Sequence, residues 1–232
     1  MITRRSILLG IGAACATALP GANAARAELV FNAMTRKWEN VDTQRRMYMR
    51  KNPPVKFMRR SVFVATKETP GTIIIDSDSK YLYFIKSPNS AIRYGIGVGR
   101  DGFGWGGTVK IGRKEEWPTW TPPAEMRARE RANGHILPVS MKGGEDNPLG
   151  ARAMYLFKGA QDTMYRIHGT NQPWSIGLNL SSGCFRMMNK DVVDLYSRAG
   201  VGTKVIVVGP GENAAKYIAA PGVNPLMSIF GG

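Results

Sequence analysis

Cys184 is the one cysteine outside a leader-like N-terminus. His168, one of two histidines, precedes it in the stretch His168-Gly-Thr-Asn-Gln-Pro-Trp-Ser-Ile-Gly-Leu-Asn-Leu-Ser-Ser-Gly-Cys-Phe-Arg186. A thiol attacks a carbonyl as thiolate, and a nearby imidazole is the usual means of making one near neutral pH. Around the thiol in sequence stand Ser181, Gly183 and Arg186. A Gly-Cys step in a tight turn aims consecutive N–H groups at one point, as an oxyanion hole requires. An arginine beside it can clamp a carboxylate through two parallel hydrogen bonds. Residue types alone leave a second account open, because a lone cysteine is often a small buried hydrophobe and a lone histidine a structural one. A zinc site is excluded on spacing: His135 has no metal-ligand spacing to His168 or Cys184, and soft ligands are too few.

Taken in order, His168-Gly-Thr, Ser175-Ile-Gly, Ser181-x-Gly-Cys-x-Arg-Met187, Asp191 and Leu195-Tyr196 resemble the signature of the YkuD-type L,D-transpeptidases. Trp120-Thr-Pro-Pro with Met126, and Asn147-Pro-Leu-Gly-Ala-Arg152 with Tyr155, extend the resemblance over most of the chain from about Gly71 to Val208. One position departs from it: Ser182 stands where relatives often carry histidine. The resemblance implies an enzyme that remodels peptidoglycan through a cysteine acyl-enzyme. Cys184 is then the nucleophile that attacks a tetrapeptide stem and expels D-alanine, and His168 the general base. Gly183 and Cys184 supply N–H groups to the oxyanion, Ser181 hydrogen-bonds within the site, and the Gly169 carbonyl orients the imidazole. Arg186, Trp120, Trp174 and Asn147 fall to substrate binding. No cofactor is implied. The acceptor stays open between another stem peptide, an amine of an envelope protein, and water, which would make the protein an L,D-carboxypeptidase. A wall-binding module without activity is the alternative of a different class.

These residues need a scaffold, and the chain supplies short runs rich in β-branched and aromatic residues. They are residues 62–64, 72–75, 81–85, 94–98, 154–157, 165–167 and 204–208, separated by turn formers such as Pro70-Gly71 and Asp76-Ser-Asp-Ser79. Strands at this spacing predict a mainly β fold, an antiparallel sandwich or barrel, with a few short helices. His168 ends one of the strands, where a scaffold aims a side chain into a cleft. Between Gly112 and Arg152 periodicity fails, which predicts a long lid-like loop with a short charged helix over residues 125–132. Trp117 and Trp120 in that loop are candidates for a groove wall, though burial is the commoner role of tryptophan. After Arg186, Asn189 reads as an N-cap, residues 190–199 as a helix and Gly200 as its stop. Val192, Leu195, Tyr196 and Ala199 share one helix face, which packs on the core.

The N-terminus reads as an export signal over residues 1–27: Arg4-Arg5, a short apolar run, then Ala22-Asn-Ala24 and Ala25-Arg-Ala27. The paired arginines resemble a twin-arginine signal, with Ile7 leaving ordinary Sec export open. The expected location is the periplasm. Removing the leader, and Cys15 with it, leaves a single thiol that cannot form an intramolecular disulfide, so the fold rests on its core. The formal charge is +15, much of it in a basic arm over residues 28–60 that includes Arg45, Arg46, Arg50 and Lys51, interleaved with Trp38, Tyr48 and Phe57. Basic residues with aromatics suit single-stranded nucleic acid, but an exported protein meets little of it; anionic wall or membrane is one expected contact, and a solvated arm that packs on the catalytic unit is an equal alternative. The catalytic unit is then residues 61–208, with a Gly- and Pro-rich tail over 209–232 that has no assigned site.

Overall fold

A computed structural model describes residues 29–32, 37–40, 52–99, 105–132, 134, 136–180, 184–209 and 211–218. The branched and aromatic runs form strands because such side chains pack well on a pleated surface. In chain order these are β1 (Leu29–Asn32), β2 (Lys37–Asn40), β3 (Arg60–Phe63), β4 (Ile73–Asp76), β5 (Tyr81–Ser87), β6 (Ser90–Gly95), β7 (Val98–Gly99), β8 (Gly107–Glu116), β9 (Arg152–Lys158), β10 (Gln161–His168), β11 (Asn179–Leu180), β12 (Phe185–Arg186) and β13 (Lys204–Val208). Two α-helices are described, α1 (Ala124–Ala132) and α2 (Asn189–Arg198). The fold is mainly β, as expected.

One sheet has the order β12-β10-β9-β8-β13-β4-β5-β6-β3, while β1–β2 and β11–β7 pair separately. Most neighbours in the large sheet are antiparallel, but β13–β4 and β10–β12 are parallel. Parallel pairing needs a long return connection, which the stretch between β10 and β12 supplies. Alternation within β4 sends Ile73 and Ile75 into one core and Ile74 into another on the opposite face. The larger core also holds Leu82, Tyr94, Leu156, Ile167, Phe185 and, from α2, Val192 and Leu195. It draws on strands from both halves of the sheet, which therefore curls around it. Closure is visible in the backbone: Gly97, after β6, exchanges two hydrogen bonds of 2.9 and 2.8 Å with Arg186 of β12. The second core includes Tyr83, Ile206 and Val208, and Ile218 packs into it from beyond β13.

Two local expectations need correction. The irregular segment begins later than Gly112, because β8 continues to Glu116. Only Val109 and Ile111 of that strand are buried, and its outer half pairs charges instead, Arg113 with Glu115 and Glu116 with Arg152, each at 3.0 Å. Gly112 marks a register shift where any Cβ would enter the Phe157 ring. Second, Asn189 is not the N-cap; Met188 holds that position without a side-chain bond. The Asn189 Oδ1 is claimed by two tertiary amides instead, the N–H groups of Ala151 (3.0 Å) and Thr170 (3.2 Å). The last part of the basic segment lies against the core, the packed-arm alternative: Pro53 and Phe57 are buried, and Gly95 has no room for a Cβ beside the Phe57 backbone. Among the described residues no helix is long and apolar enough to cross a membrane.

Candidate active site

The parallel register of β10 and β12 sets the geometry of the site. Ile167 lies beside Phe185, and His168 beside Arg186. Ile167 and Phe185 are fully buried in the larger core. Strand side chains alternate in direction, so Arg166 and His168 of β10 share the other face with Arg186 and with Cys184, which sits in the bend just before β12. The Met187 N–H donates to the His168 carbonyl at 2.8 Å and fixes the end of β10 against the chain that follows the thiol.

His168 is 4% exposed, and its Nδ1 lies 2.6 Å from the Gly169 carbonyl oxygen. A carbonyl only accepts, so Nδ1 carries the hydrogen and Nε2 keeps its lone pair. Burial lowers the imidazole pKa to about 3; the charges of Arg186 and Arg166 push the same way, and the Gly169 and Leu149 carbonyls oppose them. His168 is therefore neutral across the whole physiological range. The loop after it is packed around Asn189, whose Oδ1 approaches so closely that neither Gly169 nor Gly150, the latter at φ +62, could carry a Cβ.

Cys184 is half-buried, and its thiol donates a long hydrogen bond to the Met164 carbonyl at 3.9 Å. Burial pushes the thiol pKa up; the Arg166 backbone N–H and the guanidinium charges of Arg166 and Arg186 pull it back. The resting pair is thus a thiol and a neutral imidazole, with two arginines ready to stabilise a thiolate as it forms. Arg186 also donates to Gln172 Oε1 at 3.3 Å and remains part-exposed.

The remaining expected site residues divide. Trp174 lies in the 3-10 turn Pro173–Ser175 and is half-buried. Trp120 is half-buried and bridges to Met141, with backbone hydrogen bonds of 2.8 Å in both directions. Asn147 is 1% exposed and spends its amide on the loop itself. Its Nδ2 donates to the carbonyls of Pro118, Met141 and Lys142 at 3.0, 3.2 and 3.0 Å, and its Oδ1 accepts from the Leu149 N–H at 2.8 Å. Ser181, Ser182, Gly183 and His135 lie outside the described residues. Among the described residues no group of three or more His, Cys, Asp or Glu is placed to hold a metal. Sequence reasoning missed Asp162, Met164 and Arg166. Arg166 reaches Asp162 through a two-pronged ion pair (2.6 and 2.9 Å) and lies 4.4 Å from the Tyr155 ring centroid, while Arg113 stacks on that ring at 3.6 Å.

Fold and site together define a mainly β protein that presents a thiol, a neutral imidazole and two guanidinium groups on one face of a curled sheet. The YkuD family, described as the L,D-transpeptidase catalytic domain, matches residues 70–207, and the chain belongs to that family. It is 40% identical over 139 residues to YbiS of Escherichia coli K12, named a probable L,D-transpeptidase, covering 58% of this chain and 43% of that one. It is 37% identical over 144 residues to YcfS of the same organism, also named a probable L,D-transpeptidase, covering 60% of this chain and 43% of the relative. The chain thus spans less than half the length of these relatives. A solved structure from Brucella melitensis, described as a probable carnitine operon oxidoreductase, is 49% identical, with 65% of this chain and 92% of that chain covered and a TM-score of 0.46. The activity in that description is that protein's.

Proposed function

We propose that this protein is an exported L,D-transpeptidase that works through a cysteine acyl-enzyme on peptidoglycan tetrapeptide stems. The observation that carries the reading is the parallel pairing of His168 with Arg186, which sets a neutral imidazole, held through Nδ1 by the Gly169 carbonyl, on the same face as the Cys184 thiol. Cys184 Sγ attacks the carbonyl between an L-configured centre and the terminal D-alanine. His168 Nε2 takes the thiol proton as the carbon–sulfur bond forms, and gives it to the departing D-alanine amine. The thioester is then attacked by an acceptor amine, whose proton goes to Nε2 and on to the sulfur as the thiol is released. N–H groups at Gly183 and Cys184 hold the oxyanion. Arg186 meets a carboxylate of the stem, and Trp120 and Trp174 border the groove. Residues 1–27 direct export to the periplasm, and the basic segment meets anionic wall. The acceptor is a second stem peptide or an amine of an envelope protein.

The test is acylation. The mature protein, incubated with disaccharide-tetrapeptide, releases D-alanine, and a carbapenem adds once by intact mass. Cys184→Ser abolishes both, since a neutral hydroxyl is the poorer nucleophile. His168→Gln slows acylation at neutral pH by about 10²–10⁴-fold, with partial recovery at high pH where thiolate forms without a base. An adduct that survives Cys184→Ser overturns the assignment.

A further inference from the structure

The strand that carries His168 is irregular just before it reaches the site. Asp162 lies across from Phe157 and Arg166 from Tyr155, so β10 advances four residues while β9 advances two. The excess is absorbed at Met164, a non-glycine residue with φ +64, in the left-handed region that methionine rarely adopts. Such backbone persists only where its surroundings over-determine it. Here one side chain does so. The Asp162 Oδ1 accepts the Met164 N–H at 2.8 Å, and both its oxygens accept from the Arg166 guanidinium. Thr163 adds a weaker tie, accepting the Tyr165 N–H at 3.2 Å and donating to the Leu156 carbonyl at 2.7 Å. The product of the bulge is directed at the thiol: the Met164 carbonyl accepts from Sγ at 3.9 Å, and the Arg166 N–H donates to the same sulfur.

We propose that Asp162 is a positioning residue for the nucleophile: by capping the left-handed Met164 and gripping Arg166, it holds the β10 bulge in the form that presents the Arg166 N–H to the sulfur of Cys184. The inference deepens the reading of Cys184 as nucleophile and rests on it. It also has a consequence opposite to that of simple electrostatics. A carboxylate near a thiol raises the thiol pKa by like-charge repulsion, so deleting Asp162 as a charge would ease ionisation. Deleting it as a clamp removes an N–H that favours the thiolate, and ionisation becomes harder. Among the described residues, the groups that act on the sulfur are the Met164 carbonyl, the Arg166 N–H and the charges of Arg166, Arg186 and Asp162, with the neutral His168 on the same face; the Arg166 N–H stands ahead of either guanidinium charge in lowering the thiol pKa, and the Asp162 charge is the smallest influence.

The experiment is the pH dependence of Cys184 alkylation by iodoacetamide, read by mass spectrometry on the Cys184 peptide so that Cys15 does not contribute, compared between Asp162→Ala and Asp162→Asn. Asparagine keeps the oxygen that caps the Met164 N–H and loses the charge; alanine loses both. The apparent thiol pKa is expected to rise by about one unit in Asp162→Ala, a tenfold loss of thiolate at fixed pH, and to stay level or fall in Asp162→Asn. Equal shifts in the two variants, or no shift in the alanine variant, overturn the proposal. Should Asp162→Ala not fold, Asp162→Ser, with a shorter and weaker cap, takes its place with a smaller shift in the same direction. Alkylation reads the thiol whether or not the protein transfers acyl groups, so the outcome is separate from that of the acylation test.

Discussion

At the scale of the residue, His168, the proposed base, also bears on stability. Its imidazole is buried as the neutral form, with a pKa brought down to about 3, against about 6.5 in an unfolded chain. Above pH 6.5 neither state binds the proton and His168 adds no pH dependence. Below it the unfolded chain gains a proton that the folded protein refuses, so stability falls with pH until the folded pKa is passed. Between pH 7 and 5 this amounts to about 2 kcal/mol. Urea unfolding at the two pH values is expected to show that loss in the wild type beyond whatever His168→Gln shows, since other groups titrate alike in both. Parallel pH profiles would mean that the imidazole is not held neutral. Cys184, His168 and Arg186 stood out in the sequence because their chemistry is written in their side chains, and the fold brings them to one face of the sheet. Met164 was not: its part is played by backbone angles, and a methionine carries no turn signature.

At the scale of the element, long apolar alternation was readable and its absence misled. β4, β5, β9 and β13 follow from branched and aromatic runs, but β8 buries only Val109 and Ile111 and satisfies the rest of its length with charge pairs. Two-residue strands such as β7, β11 and β12 are too short for any periodicity. The segment from residue 117 to 151 was legible as a long irregular connection but not in its internal order, which depends on Asn147. That amide satisfies three carbonyls and one N–H of the loop. Asn147→Ala leaves them to find water or stay unpaired, at about 1–3 kcal/mol for each that remains buried. The expected result is loss of hydrogen-exchange protection confined to the loop, with Leu149 and Met141 among the first amides affected. Because the Leu149 carbonyl also lies against the His168 ring, acylation should slow while thiol alkylation is unchanged. If protection in the loop persists, Asn147 does not organise it and its expected part in binding substrate becomes the better account.

At the scale of the whole molecule, the sheet order could not be read from the sequence, because it is set by pairings far apart in the chain, such as β13 between β8 and β4 and Gly97 against Arg186. The distribution of charge could be read. Within the described residues many cations have close partners: Arg59 with Asp194, Arg152 with Glu116, Arg166 with Asp162, Arg198 with Asp194 and Lys204 with Glu68. Between residues 36 and 51, which lie largely outside the described residues, Arg36, Lys37, Arg45, Arg46, Arg50 and Lys51 face only Glu39 and Asp42 in sequence. A block of that kind acts through its field, which extends about 10 Å at 0.1 M salt and about 3 Å at 1 M. If it meets anionic wall as proposed, replacing Arg45, Arg46, Arg50 and Lys51 with Gln removes four charges from the contact and leaves the thiol and imidazole untouched. Sedimentation of the protein with isolated sacculi is expected to weaken several-fold at low salt. At high salt wild type and variant should converge, and turnover of a soluble disaccharide-tetrapeptide should differ little between them. Binding that ignores both salt and the substitutions would leave the segment without a part in wall contact, and a fall in soluble turnover would place it in the catalytic unit instead.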